Sequence, residues 1–369
     1  MIYLDNGATS FPKPPEVQEA VRCALDHCAN PGRGGYRAAM TAATTVLRCR
    51  ERAGKLFGCP PEQVVMTSSC THGLNIALRT LVKPGSRVVI SGFEHNAVTR
   101  PLYGLGAKVI VAGEKLFCPE DTLNAFEKAL KAGCDVAVFT HISNVFGYIL
   151  PVDEMAKLCK KYGVPFVVDA AQSAGSVPVS LEKWGADFIA MPGHKGLLGP
   201  QGTGLLLCGK MPAPLLFGGT GSLSRQQQMP DFLPDGVEAG TLNVPGIAGL
   251  SAGLQILLQE GMERCFAREK QEVSHCAKEL RKMGFHPFFG ENQGGTLSFT
   301  SEFDCEEIAE FLAERGICVR AGLHCAPLAH RSAGTLETGT VRVSYGRKTC
   351  PGQTGELLLA LEEFQKKKG

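Results

Sequence analysis

Val164-Pro165-Phe166-Val167-Val168-Asp169-Ala170-Ala171-Gln172 ends an apolar run on an acid and an amide, and Asp187-Phe188-Ile189-Ala190-Met191-Pro192-Gly193-His194-Lys195-Gly196 repeats the pattern with an imidazole and an amine. The apolar residues are continuous rather than alternating, as strands covered on both faces require, so the runs predict a mostly parallel sheet in an α/β domain. Five more runs of this kind are Val64-Val65-Met66, Arg87 to Ile90, Lys108 to Val111, Asp135 to Phe139 and Gly204 to Leu207. Helical patterns with apolar residues three and four apart separate them: Glu16 to Cys28, Ala38 to Phe57, Thr71 to Leu81, Pro119 to Lys131 and Asp153 to Tyr162. Gly209 to Pro234, rich in Gly, Pro, Ser and Gln, reads as a long functional or interfacial loop.

Beyond that loop the pattern changes. A helical region from Pro245 to Met283 leads to a strand at Thr296 to Phe299, a helix at Asp304 to Arg315 and a strand at Ile317 to Arg320. Thr340 to Ser344 then reads as a strand and Thr354 to Lys366 as a helix. The expected organisation is a large domain over residues 15–250 and a smaller C-terminal α+β domain over 251–369, with residues 1–14 packing on the latter.

The 369 residues carry 38 Lys+Arg against 36 Asp+Glu, a balance with no basic footprint for nucleic acid. Gly246 to Leu258 is the most continuous apolar stretch; Ser251 and Gln255 interrupt it, and it falls short of the roughly 20 residues a bilayer needs. No membrane span is expected. The first residues lack a basic and then apolar leader, so the cytoplasm is the expected location. Fifteen cysteines are an odd number and are scattered without a CxxC pair, against both a disulfide framework and a structural zinc site. A chemical role for any of them has to come from its neighbours.

Parallel sheets gather ligands past the carboxyl ends of their strands. Thr67-Ser68-Ser69-Cys70-Thr71-His72-Gly73 follows one strand, with hydroxyls leading into a helix N-terminus that suits an anion. Other strand ends bring His95, Asn144, Asp169, Gln172, His194 and Lys195. Gly199 to Gly204 precedes a strand instead of following one, so it is no dinucleotide fingerprint. Gly204 to Met211 has an apolar strand where a phosphate loop belongs. Pyridoxal 5'-phosphate needs a Schiff-base lysine, an acid against the ring nitrogen, a phosphate nest and an aromatic face. Lys195, Asp169, the Thr67 to Gly73 turn and His95 supply those four.

Seven motifs in order carry a family resemblance over nearly the whole chain: Tyr3 to Thr9, Glu94-His95-Asn96, Ser143 to Gly147, Val168 to Gln172, Gly193-His194-Lys195-Gly196, Glu238-Ala239-Gly240-Thr241 and Arg320 to Ala326. The sequence resembles the cysteine desulfurases, class V aminotransferase-like enzymes of the fold type I pyridoxal-phosphate class, and is most similar to their group II and to selenocysteine lyases. The resemblance implies a Schiff base at Lys195, a ring-nitrogen contact from Asp169, a bond from Gln172 to the phenolic oxygen, and His95 stacked on the ring as proton carrier. Asn144 would line the site. Cys70, Thr71 and His194 would hold the phosphate with Thr241 of a second subunit, which implies a homodimer. Arg342 would grip the substrate carboxylate.

Cys325 follows His324 in a loop, where an adjacent imidazole would favour its thiolate. By the same resemblance it takes sulfur from L-cysteine as a persulfide, releases L-alanine and passes the sulfur to an acceptor protein or small thiol. Three departures stand out: Pro192 where a hydroxyl is common before Gly-His-Lys, Cys70 for a threonine, and Leu323 for the first histidine of a pair. A selenocysteine lyase acting on L-selenocysteine would use nearly the same residues. Other class V enzymes would need no loop cysteine. A scaffold that kept only the fold would be expected to lose Lys195 or Asp169, and the missing fingerprint weighs against a nicotinamide dehydrogenase.

Overall fold

The computed structural model describes residues 1–32, 34–350 and 352–368. All seven apolar runs enter one sheet, in the order Val64–Thr67, Gly204–Cys208, Phe188–Pro192, Phe166–Asp169, Val136–Thr140, Arg87–Ser91, Lys108–Ala112. Gly204–Cys208 is antiparallel to both neighbours, and every other ladder is parallel. Val138, Val167, Val168 and Ile189 are fully buried, because helices cover both faces of the sheet. Asp169 pairs in register with Thr140 on one side and Ala190 on the other, at the carboxyl edge. Among the described residues no helix is long and apolar enough to cross a membrane.

The expected helices form as Pro15–His27, Arg37–Phe57, Cys70–Leu81, Pro119–Lys131 and Val152–Tyr162. The region from Pro245 to Met283 is two helices, Val244–Glu260 and Glu263–Lys282, divided at Gly261, whose φ of 73° ends the first. The first packs on Pro15–His27 and Arg37–Phe57, and its Leu254 and Leu257 belong to the core under the large sheet. A boundary after residue 250 therefore falls inside a continuous helix, and the change of core comes at the Gly261 break. Gly253 lies so close to the carbonyl of Leu197 that a Cβ there would collide with it, which seats the turn carrying Lys195.

A second core gathers Val273, Leu280, Phe299, Phe311, Val343 and Phe364 around a four-stranded antiparallel sheet ordered Arg320–Gly322, Thr340–Ser344, Thr296–Thr300, His286–Phe288. Leu4 joins this core, and Ile2–Tyr3 pairs in parallel with Ile317–Cys318. The run Ile317 to Arg320, read as one strand, is thus split between two sheets. Three short α-helices, Asn96–Gly104, Leu181–Trp184 and Pro327–Ala333, were not foreseen. The first holds an internal Pro101, which obscures its helical pattern. Residues 209–234 contain no helix or strand, as the loop reading expects, and the irregular segment runs on to residue 243.

Candidate active site

The sheet's carboxyl edge and the antiparallel sheet face one another, and the charges meet between them. Asp169 ends its strand 3% exposed. Its Oδ1 accepts the Ala171 N–H at 2.8 Å and the Cys70 S–H at 3.4 Å, while Oδ2 takes no hydrogen bond among the described residues. Lys195 lies in the turn after Phe188–Pro192, and its Nζ has no hydrogen-bond partner among the described residues. Burial pushes its amine down from the ordinary lysine value; Asp169 opposes that shift, and Arg342 adds to it. An amine so placed is closer to its neutral, nucleophilic form.

His95 caps helix Asn96–Gly104, with Nδ1 accepting the Ala97 N–H at 3.0 Å. That bond leaves Nε2 to carry the proton of the neutral ring and to face the site. Burial lowers its pKa, and the field of Asp169 pulls it back up. Glu94, beside it, is fully buried and pushed up to about 8 by desolvation. Its Oε1 accepts from Ser91 Oγ at 2.5 Å and from Thr140 N–H at 2.9 Å, tying two strand ends together.

The loop carrying Cys325 is docked from the other side. Asn96 N–H donates to the Cys325 carbonyl at 2.8 Å, and Asn144 Nδ2 donates to the His324 carbonyl at 2.8 Å. His324 and Cys325 have φ of 49° and 57°, a left-handed pair of non-glycine residues that only surrounding contacts can hold. The Cys325 side chain is exposed. The expected thiol–imidazole pairing is absent. His324 turns inward, its Nε2 lies 3.2 Å from Thr340 Oγ1, and its buried Nδ1 has no partner. Burial and the Arg342 charge drive its pKa far down, so the ring is neutral.

Arg342 is 3% exposed, with Nη2 on Asp5 Oδ1 at 2.7 Å and Nη1 on the Asn144 carbonyl at 3.0 Å. Its Nε is buried without a partner, and each terminal nitrogen retains one free N–H. Asp5 also binds Arg320 at 2.8 Å, so two guanidinium groups share one carboxylate and the local balance is positive. An anionic group is favoured there.

At the opposite end Ser69 caps helix Cys70–Leu81 by accepting the His72 N–H, and among the described residues the amides of Cys70 and Thr71 make no hydrogen bond. His194 Nδ1 lies 3.1 Å from Thr9 Oγ1; burial, Lys195 and Lys13 lower its pKa to about 4. Gln172 spends one N–H on the Gly7 carbonyl at 3.0 Å and keeps its other polar positions. Thr241 is exposed, and no bond brings it to the rest of the group within one chain. Its neighbour Glu238 is instead fixed to Arg50 and to the Met66 N–H, both at 2.6 Å. The sequence reading missed Asp5 as the partner of Arg342, and missed Lys13, whose Nζ binds the His194 carbonyl and Ser10 Oγ at 2.7 Å and whose pKa burial lowers to about 8. Its place four residues past the Tyr3 to Thr9 motif is the only signal that could have found Lys13.

The family model "Aminotransferase class-V" matches residues 2–353. A probable cysteine desulfurase of Methanothermobacter thermautotrophicus is 31% identical, with 93% of this chain and 89% of that protein covered. Another from Pyrococcus abyssi is 32% identical, with coverage of 99% and 94%. The apo structure of a cysteine desulfurase from Thermococcus onnurineus NA1, 31% identical, superposes with a TM-score of 0.90 over 99% of this chain and 94% of that one. With that family model spanning residues 2–353 and relatives above 30% identity along nearly the whole chain, this protein belongs to the aminotransferase class-V family and to its cysteine desulfurase group.

Proposed function

We propose that this protein is a pyridoxal-phosphate-dependent cysteine desulfurase that converts L-cysteine to L-alanine and carries the sulfur on Cys325. The donor set fits the cofactor. Lys195 Nζ is free of hydrogen bonds for a Schiff base, Asp169 Oδ2 is free for a protonated ring nitrogen, and the Cys70 and Thr71 amides are free for a phosphate. Pyridoxal phosphate, when bound, supplies an electron sink for the substrate carbons. Gln172 and His95 would complete its surroundings, with His194 and the Thr241 hydroxyl of a second subunit at the phosphate.

The remaining work falls to the chain's own side chains. Arg342, held by Asp5 and the Asn144 carbonyl, offers its free N–H groups to the substrate carboxylate. Lys195 Nζ accepts the α-proton, and His95 Nε2 holds or returns a proton at the same face. The Cys325 thiolate attacks the substrate sulfur. An S–S bond forms as the carbon–sulfur bond breaks, the electron pair stays with the substrate carbon, and a proton added there completes alanine. The persulfide on Cys325 then passes its outer sulfur to a thiol acceptor, for which exposure of that residue leaves a path. The single observation that carries the reading is the docking of the exposed Cys325 loop, through Asn96 and Asn144, onto the Lys195–Asp169–His95 group.

The homodimer belongs to the same proposal. Thr241 has no side-chain partner among the described residues, and the loop before it exposes Phe217 by 79% and Leu216 by 55%, apolar area that a second subunit would cover. A sedimentation mass matching one 39.3 kDa chain would overturn this part. The chemistry is tested by visible absorbance of protein reconstituted with pyridoxal phosphate, and by sulfide and alanine released from L-cysteine by wild type, K195A and C325A. Expected are a visible band lost in K195A and sulfur transfer lost in C325A with the band retained. A colourless wild type after reconstitution, or full desulfuration by C325A, would refute the proposal. Running L-selenocysteine beside L-cysteine separates lyase from desulfurase.

A further inference from the structure

We propose that Cys70 is a positioning residue whose S–H fixes the orientation of the Asp169 carboxylate and draws off part of its charge. The inference rests on the function proposed above for its consequence, and on geometry alone for the contact. Cys70 opens helix Cys70–Leu81, is 8% exposed, and packs in a core shared with Ala190 and Leu206. One turn on, a Cβ on Gly73 would meet those of Ala190 and Leu206 at 3.3 and 3.5 Å, so the helix lies hard against the strands and cannot carry the sulfur away. The Sγ therefore stays 3.4 Å from Asp169 Oδ1, which also accepts the Ala171 N–H at 2.8 Å. Two donors from separate elements converge on one oxygen. They set the carboxylate's rotation and leave Oδ2 as the oxygen without a protein partner.

Burial and Asp169 itself keep the thiol's pKa well above its ordinary value. Cys70 is accordingly a hydrogen-bond donor at working pH. The groups that feel Asp169 are Lys195 and His95, whose proton affinities it raises, and Glu94. Lys195 is also faced by Arg342, Asp5 and Cys70, and His95 by Arg100 and Arg342. Removing the S–H donor restores full charge to the carboxylate, and Lys195 then holds its proton to higher pH.

C70V removes the donor at similar volume, C70S retains one, and C70A serves with the same expectation if C70V fails to fold. In cofactor-free protein, the pH dependence of Lys195 acetylation by acetic anhydride, read by peptide mass, gives the amine's midpoint. In protein reconstituted with pyridoxal phosphate, the pH midpoint of the visible band gives a second readout. C70V should move both midpoints up by about half a unit, roughly threefold in proton affinity, while C70S stays near wild type. An unmoved Lys195 midpoint in C70V, or a C70S shift as large as that of C70V, would overturn the proposal. A Lys195 shift in a protein that takes up no pyridoxal phosphate supports the thiol's hold on Asp169 and overturns the cofactor reading alone.

Discussion

Replacing Asp5 by alanine should cost more stability than any surface ion pair could explain. Asp5 Oδ1 holds Arg342, whose side chain is 3% exposed, and Oδ2 holds Arg320, whose side chain is 51% exposed. The exposed bridge is worth about 0–1 kcal/mol at most. The buried one differs, because D5A leaves a guanidinium out of water with the Asn144 carbonyl as its remaining partner and an Nε that already has none. Stranding a buried charge in this way costs about 3–5 kcal/mol. At about 2–4 °C per kcal/mol for a large domain, the melting temperature should fall by roughly 6–20 °C. Urea and thermal denaturation of D5A, R342M and the double variant measure it. The double variant should recover at least half the loss, since it removes the stranded charge with its partner. A D5A loss below about 1 kcal/mol, or a double variant no more stable than D5A, would refute the reasoning.

Glu269 is 9% exposed, makes no hydrogen bond among the described residues, and is pushed up to about 8 by burial. Its folded pKa lies above the unfolded one near 4.3, so the folded state holds an extra proton between them and stability falls as pH rises through that window. E269Q should therefore stabilise the protein by a few kcal/mol at pH 9 and by little at pH 4.5, compared by urea melts; an equal difference at both pH values would count against it. G253A should drive a methyl into the Leu197 carbonyl, lower stability by about 1–3 kcal/mol and weaken pyridoxal-phosphate uptake through the Lys195 turn. Unchanged melting would show that the helix can retreat.

The strands were legible because burial on both faces makes their runs continuously apolar up to a polar last residue, as at Val136–Thr140 and Phe166–Asp169. Lys195, Asp169 and His95 were legible because strand ends in such a sheet must converge. Side-chain partnerships were not. His324 and Cys325 are adjacent in sequence, yet the left-handed backbone at both residues sends the imidazole into the core and the thiol to solvent. Cys70, read as a phosphate contact through its backbone N–H, also gives its thiol to Asp169, 99 residues away.

Sequence alone determined the layer architecture, the polar inventory of the strand ends and the family pattern, since each depends on local periodicity or on residue type at fixed spacing. Tertiary structure decided which groups share a charge. Asp5 and Arg342 are 337 residues apart and meet because the first residues pair with Ile317–Cys318 beside the antiparallel sheet. Hydrogen bonds and Coulomb fields act through a few ångströms of space, and chain order places no bound on that distance.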